Sequence, residues 1–168
     1  MNGIITETTE KNDIFRSVYD KYSRLVYSVA YSYMKNKQDA SDVLQDVFLK
    51  CFLNMNKLTD EEHIKPWLIT VTSNSCKNML RSAWFTKTTA ENEGGELPYE
   101  ESFGESSDLF DAVMSLPEKE RIPLHLFYYE GCSTAEIAKL LKMKESTVRV
   151  RMMRGREKLK KILKEESV

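Results

Sequence analysis

Apolar side chains return every three or four residues through most of this chain, and no alternating strand pattern competes with that period. From Asp13 onward Phe15, Val18, Tyr19, Tyr22, Leu25, Val26, Val29 and Tyr33 keep that step, which places them on one face of a helix. Asn36 and Lys37 interrupt the pattern. A second helix is predicted from about Asp39, where an acid suits the positive end of the helix dipole, with Ala40, Val43, Leu44, Val47, Cys51 and Met55 as its buried stripe. A third follows Pro66, a residue tolerated in a first helical turn, and carries Trp67, Leu68, Val71, Cys76, Met79 and Leu80.

The C-terminal part repeats the period in shorter pieces. Asp108 to Leu116 predicts a short helix stopped by Pro117, and Glu118 to Glu130 a second with Pro123 inside it and Gly131 as its stop. Ser133 and Glu136 have the spacing of a capping box, so a helix is expected from Thr134 to about Lys142. After a short break, Ser146 is the expected N-cap of a last helix. Two helices joined by a tight turn, the second rich in arginine, form the layout of a helix-turn-helix. The fold class is all-α.

Laid out at about 100° per residue, the last helix divides into sides. Val148, Met152, Gly155, Leu159, Ile162 and Leu163 should pack inward, with Gly155 allowing a neighbouring helix close. Thr147, Arg151, Arg154 and Lys158 form one basic row, and Arg149, Arg156 and Lys160 flank the apolar stripe on its other side. Val150 and Met153 lie between the rows, pointing away from the expected core.

Charge sharpens this division. The segment ESTVRVRMMRGREKLKK holds seven Lys or Arg against two Glu, although the 168-residue chain has a formal charge of -1. The balance sits upstream, in TKTTAENEGGELPYEESFGESSD, where residues 86–111 carry a net charge of -7. With a Gly-Gly pair, a Pro and few aliphatic residues, that stretch cannot bury enough apolar surface to offset its ordering entropy. It reads as a tether between two helical pieces, either a plain solvated spacer or an acidic element with a role of its own.

Other chemistries find little support. No apolar run reaches the roughly 18 residues of a membrane span, and MNGIITETTEKND lacks the apolar core of a secretory leader. Three widely spaced cysteines, Cys51, Cys76 and Cys132, suit reduced thiols, the first two as small core residues. His63 and His125 stand on different elements, no zinc-ligand spacing occurs, and no Gly-rich phosphate loop is present. The expectation is therefore no enzyme, no metal, no cofactor and no small-molecule substrate. For the basic helix, a solvated charged face competes with a groove reader, in which Arg and Lys meet phosphates and base edges while Val150 and Met153 meet thymine methyl groups.

The two halves together resemble one family. LPEKERIPLHLFYYEGCSTAEIAKLLKMKESTVRVRMMRGREKLKK is similar to region 4 of the extracytoplasmic-function (ECF) group of sigma-70 factors of bacterial RNA polymerase, and DASDVLQDVFLK followed by WLITVTSNSCKNMLR resembles region 2. The resemblance implies region 2 at 12–85, an acidic linker at 86–107 and region 4 at 108–168. It implies a factor that binds polymerase core, through the beta-prime clamp helices and the beta flap, and directs it to promoter DNA. By the same resemblance Asp39, Asp42, Gln45, Asp46 and Phe48 would meet the clamp helices, and Asn74, Lys77 and Arg81 the −10 element. Asn74 stands seven positions after Trp67 and would read a flipped base; Trp67 itself is expected in the core. Ser146, Thr147, Arg149, Val150, Arg151, Met153 and Arg154 would contact the −35 element. The family also implies a cytoplasmic location and control by an anti-sigma factor, often one anchored in the membrane.

Two departures from the family stand out. Lys142 occupies a turn position where the family often has Gly, so a left-handed backbone there would be strained. Ser82, Ala83, Trp84 and Phe85 follow Arg81 in place of a basic pair, which leaves Trp84 and Phe85 to pack against region 4 or a partner. A helix-turn-helix regulator that never joins polymerase is the competing reading, and the DASDVLQDVF and WLITVTSN segments argue against it.

Overall fold

The first apolar face lies on a helix longer than its own pattern. In the computed structural model, which describes residues 2–86 and 108–167, α1 runs from Asn2 to Met34 and so begins well before Asp13. Residues 6–10 are exposed. Once the packed turns have formed, each further residue extends a helix without a new nucleus, and no apolar stripe is needed to report it. Lys35 then takes a left-handed conformation at φ 58°, and Asn36 caps α2 (Lys37–Leu53). Its Oδ1 accepts from the Asp39 N–H at 2.9 Å while its Nδ2 donates to Asp39 Oδ2 at 2.6 Å. Every residue of the predicted α2 stripe is buried, including Met55 beyond the helix end.

The third helix, α3 (Glu61–Thr86), corrects the expected role of Pro66. Pro66 sits inside the helix rather than at its start, one turn after Glu61 and Glu62. Its ring deprives the helix of a single bond close to the N-terminal end, on an exposed side, where that loss is least costly. The stripe gains Ile64 and Ile69, both buried, and Trp67 is half-buried against the core as expected. Together α1, α2 and α3 form a bundle around Val26, Val29, Ala30, Val43, Val47, Leu68 and Cys76.

Four more helices follow: α4 (Asp108–Ser115), α5 (Glu118–Tyr128), α6 (Thr134–Leu141) and α7 (Glu145–Glu166). Gly131, at φ 66°, turns the chain between α5 and α6. Ser133 and Glu136 close the capping box as expected. Lys142 does adopt the left-handed conformation, at φ 53° and ψ 51°, and its N–H reaches the carbonyls of Ala138 and Lys139. The expected N-cap of α7 is displaced: Lys144 holds that position with no side-chain bond, and Ser146 lies inside the first turn. Val148, Met152, Gly155 and Leu159 are buried, with Ile162 and Leu163 half-buried beside them. A β-carbon on Gly155 would sit 2.5 Å from Leu124 Cδ1 and 3.2 Å from Glu120 Cβ, so α7 and α5 approach as closely as a glycine permits.

The two groups of helices meet, α5 against α1 and α6 against α3. Arg121 Nε donates to the Ser32 carbonyl at 2.6 Å, Ser28 Oγ and His125 Nε2 are 3.0 Å apart, and Lys65 Nζ donates to the Glu130 carbonyl at 2.7 Å. The ring of Phe110 stacks on Tyr31. The acidic tether beyond Thr86 and the side chains of Trp84 and Phe85 fall outside the described residues. Among those described there is no strand, no helix long and apolar enough to cross a membrane, and no cluster of three potential metal ligands. Cys51, Cys76 and Cys132 are free and buried.

Candidate polymerase and nucleic-acid interfaces

The outer face of α2 is acidic and apolar at once. Asp39, Asp42, Gln45 and Asp46 follow one another at helical steps, and Leu49 and Leu53 continue the same side at 59% and 69% exposure. Asp39 is partly occupied by the Asn36 cap, and Asp42 Oδ1 accepts from Gln38 Nε2 at 3.2 Å. Asp46 Oδ2 accepts from Lys50 Nζ at 2.8 Å and from Ser75 Oγ at 2.9 Å. Burial works to raise the Asp46 carboxyl, but the hydrogen bonds from Lys50 and Ser75 outweigh it and hold the group below the usual aspartate value. The side chain is therefore a fixed anion standing between α2 and α3.

Phe48 departs from its expected place. It is 4% exposed, with its ring edge-on to Tyr19 at 4.8 Å and to Phe15 at 6.2 Å between centroids. The aromatic face of α1 draws it inward, so it supports the outer face of α2 without presenting its ring there. Leu49 and Leu53 are the apolar members that the sequence reading missed. Their signal was available: both continue the Asp42–Asp46 side at seven- and eleven-residue steps from Asp42.

On α3, Asn74 and Arg81 are exposed and Lys77 is half-exposed. Their spacing of three and four residues puts all three on one side, and Trp67 lies two turns before Asn74 on that side. The amide of Asn74 offers a donor and an acceptor of the kind that pairs with a base edge. Its neighbour Ser75 is buried and bonded to Asp46, so the Asn74 side of α3 and the acidic side of α2 are joined through adjacent residues.

The basic helix keeps its predicted division. Val150 and Met153 are 41% and 52% exposed, Arg149, Arg154 and Ser146 are exposed, and Arg151 and Thr147 are half-buried. The N-terminal end is braced: Glu145 Oε1 accepts from Thr134 Oγ1 at 2.8 Å and from Arg149 Nη2 at 2.7 Å, tying the starts of α6 and α7 together. Lys158 Nζ donates to Glu120 at 3.0 Å, across to α5. All seven residues expected at the −35 element thus come together along the first three turns of one helix.

Comparison with known proteins matches both halves of the chain. Residues 18–86 match the family description Sigma-70 region 2, and residues 107–159 match Sigma-70, region 4. The chain is similar to the ECF RNA polymerase sigma factor SigW of Bacillus subtilis (strain 168), 26% identical over 91% of this chain and 90% of that protein. It is also similar to the ECF RNA polymerase sigma factor SigE of Mycolicibacterium smegmatis, 31% identical over 84% of this chain and 58% of that protein. Among solved structures it shares its fold with the sigma factor RpoE bound to the anti-sigma factor NepR from Bartonella quintana. That match has a TM-score of 0.69 and 19% identity, over 89% of this chain and 96% of that one. CnrH in complex with the cytosolic domain of CnrY gives a TM-score of 0.65 at 18% identity, over 91% of this chain and 89% of that one. Two region-specific matches in the right order, together spanning most of the chain, with full-length similarity to ECF factors, make this chain a member of the ECF group of the sigma-70 family of bacterial RNA polymerase sigma factors.

Proposed function

We propose that the protein joins RNA polymerase core and directs it to promoters, with 12–85 serving as region 2, 86–107 as the linker and 108–168 as region 4. Asp39, Asp42, Gln45, Asp46, Leu49 and Leu53 would dock on the beta-prime clamp helices, and region 4 on the beta flap. Asn74, Lys77 and Arg81 would engage the −10 element as a single strand, with Asn74 pairing to a base that has left the stack at a cost of a few kcal/mol. The exposed side of α7, from Ser146 to Arg154, would enter the major groove at the −35 element. No step of this role requires catalysis by the chain.

The observation that carries the reading is the α2 side that joins exposed leucines to carboxylates. A regulator that only binds DNA has no need of such a surface, and the exposed Leu49 and Leu53 suit a protein partner. Run-off transcription with purified core polymerase on a genomic fragment library tests the reading. Promoter-specific transcripts are expected only when the protein is added, and DNA binding without transcripts would favour a plain regulator. Asn74→Ala should impair promoter opening more than closed-complex binding; equal loss of both would remove its base-reading role.

Control by an anti-sigma factor belongs to the same proposal. The RpoE and CnrH neighbours were each solved in complex with such a protein or with the cytosolic domain of a partner chain. The acidic linker would limit DNA binding by the free protein. Neutralising its six glutamates should raise free-protein affinity for DNA, and no change there or in promoter output would count against that role. The site of action is the cytoplasm, where polymerase and promoter meet.

A further inference from the structure

The cations of α7 are held in two different ways. Arg149 is paired with Glu145 and Lys158 with Glu120, so each carries an internal counter-charge. Among the described residues, Arg156 is held without one. Its Nε donates to the Tyr128 hydroxyl oxygen at 2.9 Å. Its guanidinium carbon lies 5.7 Å from the centre of the Tyr128 ring and 5.6 Å from that of Phe127. The two rings meet edge to face at 5.1 Å, which fixes Tyr128 against a residue packed on the core. Both Arg156 and Tyr128 are exposed.

We propose that Tyr128 is a positioning residue that presets Arg156 as a backbone-phosphate anchor on duplex DNA at the −35 element. The inference rests on the reading of α7 as a groove-docking helix and adds a contact outside its base-reading side. Arg156 lies seven positions after Arg149, so both stand on one flank of α7, at the edge of the exposed row where one strand of the duplex would pass. Binding through Nε leaves both Nη groups of Arg156 without a partner among the described residues, available to form a fork on a phosphate. The aromatic partners restrain the side chain without neutralising it, so less rotamer freedom is lost when DNA arrives. A carboxylate in the same place would hold the arginine equally well and cancel its attraction. An aromatic pair keeps the full charge, and a contact of this kind at an exposed site contributes about 0.5–1 kcal/mol.

The test uses holoenzyme reconstituted from the full chain and measures affinity for promoter duplexes over a range of salt. Arg156→Ala should weaken binding equally for matched and altered −35 sequences and lower the slope of log K against log salt by about one. Tyr128→Ala should weaken binding about two- to fivefold, again regardless of −35 sequence, and should add nothing in an Arg156→Ala background. Tyr128→Phe keeps the ring and should fall between wild type and Tyr128→Ala. Full additivity of the two alanine variants, or unchanged affinity in Tyr128→Ala while Arg151→Ala and Arg154→Ala weaken binding, would overturn the inference and leave the docking helix intact. If Arg151→Ala and Arg154→Ala are also without effect, the docking reading itself falls.

Discussion

Nε of Arg121 lies 2.6 Å from the carbonyl oxygen of Ser32, and Nη1 of the same side chain lies 2.8 Å from that of Leu116. One buried guanidinium therefore closes the end of α4 and ties α5 to α1, 89 residues earlier in the chain. Desolvation lowers its pKa, opposed by the nearby Glu118 and Tyr33. Arg121→Met keeps the volume but leaves two carbonyls without their charged donor. A loss of about 2–3 kcal/mol is expected in urea unfolding. The same variant should expand the free protein in small-angle scattering, because the Ser32 bond spans the two groups of helices.

Acid should weaken the fold through Glu136 and Asp46. The backbone N–H of Ser133, then its hydroxyl, hold Glu136 below its ordinary value near 4.5. Both carboxylates bind protons less readily folded than unfolded, so their contribution is complete above the unfolded values and is lost as pH falls through the lower folded ones. Stability should thus decline below about pH 4.5. Glu136→Gln should flatten that acid limb by lowering the neutral plateau toward the acid value, as thermal melts between pH 3 and 7 would record.

Lys142 accepts a left-handed backbone that costs an L-residue about 1–2 kcal/mol. Lys142→Gly removes that strain, although glycine gains freedom in the unfolded chain. A net gain of about 0.5–1 kcal/mol is expected by denaturant titration. A loss would mean that the lysine side chain stabilises the turn by more than its backbone strains it.

Exposure of Val150 and Met153 between arginines predicts that part of the −35 readout is made by methyl groups. Replacing thymine by deoxyuridine deletes one methyl and should reduce affinity by roughly fourfold at a contacted position, from about 0.8 kcal/mol per buried carbon group. Val150→Ala or Met153→Ala should abolish that difference at its own position. Sensitivity to deoxyuridine that survives both substitutions would assign the methyl contact elsewhere.

The α2 side predicts a separation of binding from stability. Leu49→Ala and Leu53→Ala remove exposed side chains, so unfolding free energy should change by no more than about 0.5 kcal/mol. Affinity for polymerase core should fall about tenfold or more if these leucines are anchors of the interface, since anchor residues cost about 2 kcal/mol or more when truncated. Fluorescence titration of core with labelled protein measures this directly.

Most of the secondary structure was legible because its causes are local. The 3.6-residue period, the Ser133–Glu136 capping box, Gly131 and the two-sided α7 are set by neighbours within a turn or two, and each appears where the residues predicted it. The longer α1 was hidden because its first turns bury no stripe. Ser146 was misread as a cap because its side chain has the right chemistry, while the extended backbone falls two residues earlier, at Lys144. The candidate site divides in the same way. The basic row of α7 follows from helical spacing alone, whereas the acidic side of α2 and the Asn74 side of α3 were singled out by the family resemblance and share a side by their spacing.

By itself, then, the sequence determined which residues share a helix face and which faces carry charge. Tertiary structure decided what becomes of each face. Phe48 turned inward because Tyr19 and Phe15 wait on α1, and Leu49 and Leu53 stayed outside because nothing in the described fold covers them. Arg156 acquired aromatic partners from α5, whereas Lys158, on the opposite flank, acquired a carboxylate. A periodic pattern fixes direction around a helix axis, but the partner met in that direction comes from residues far along the chain, and only packing brings them together.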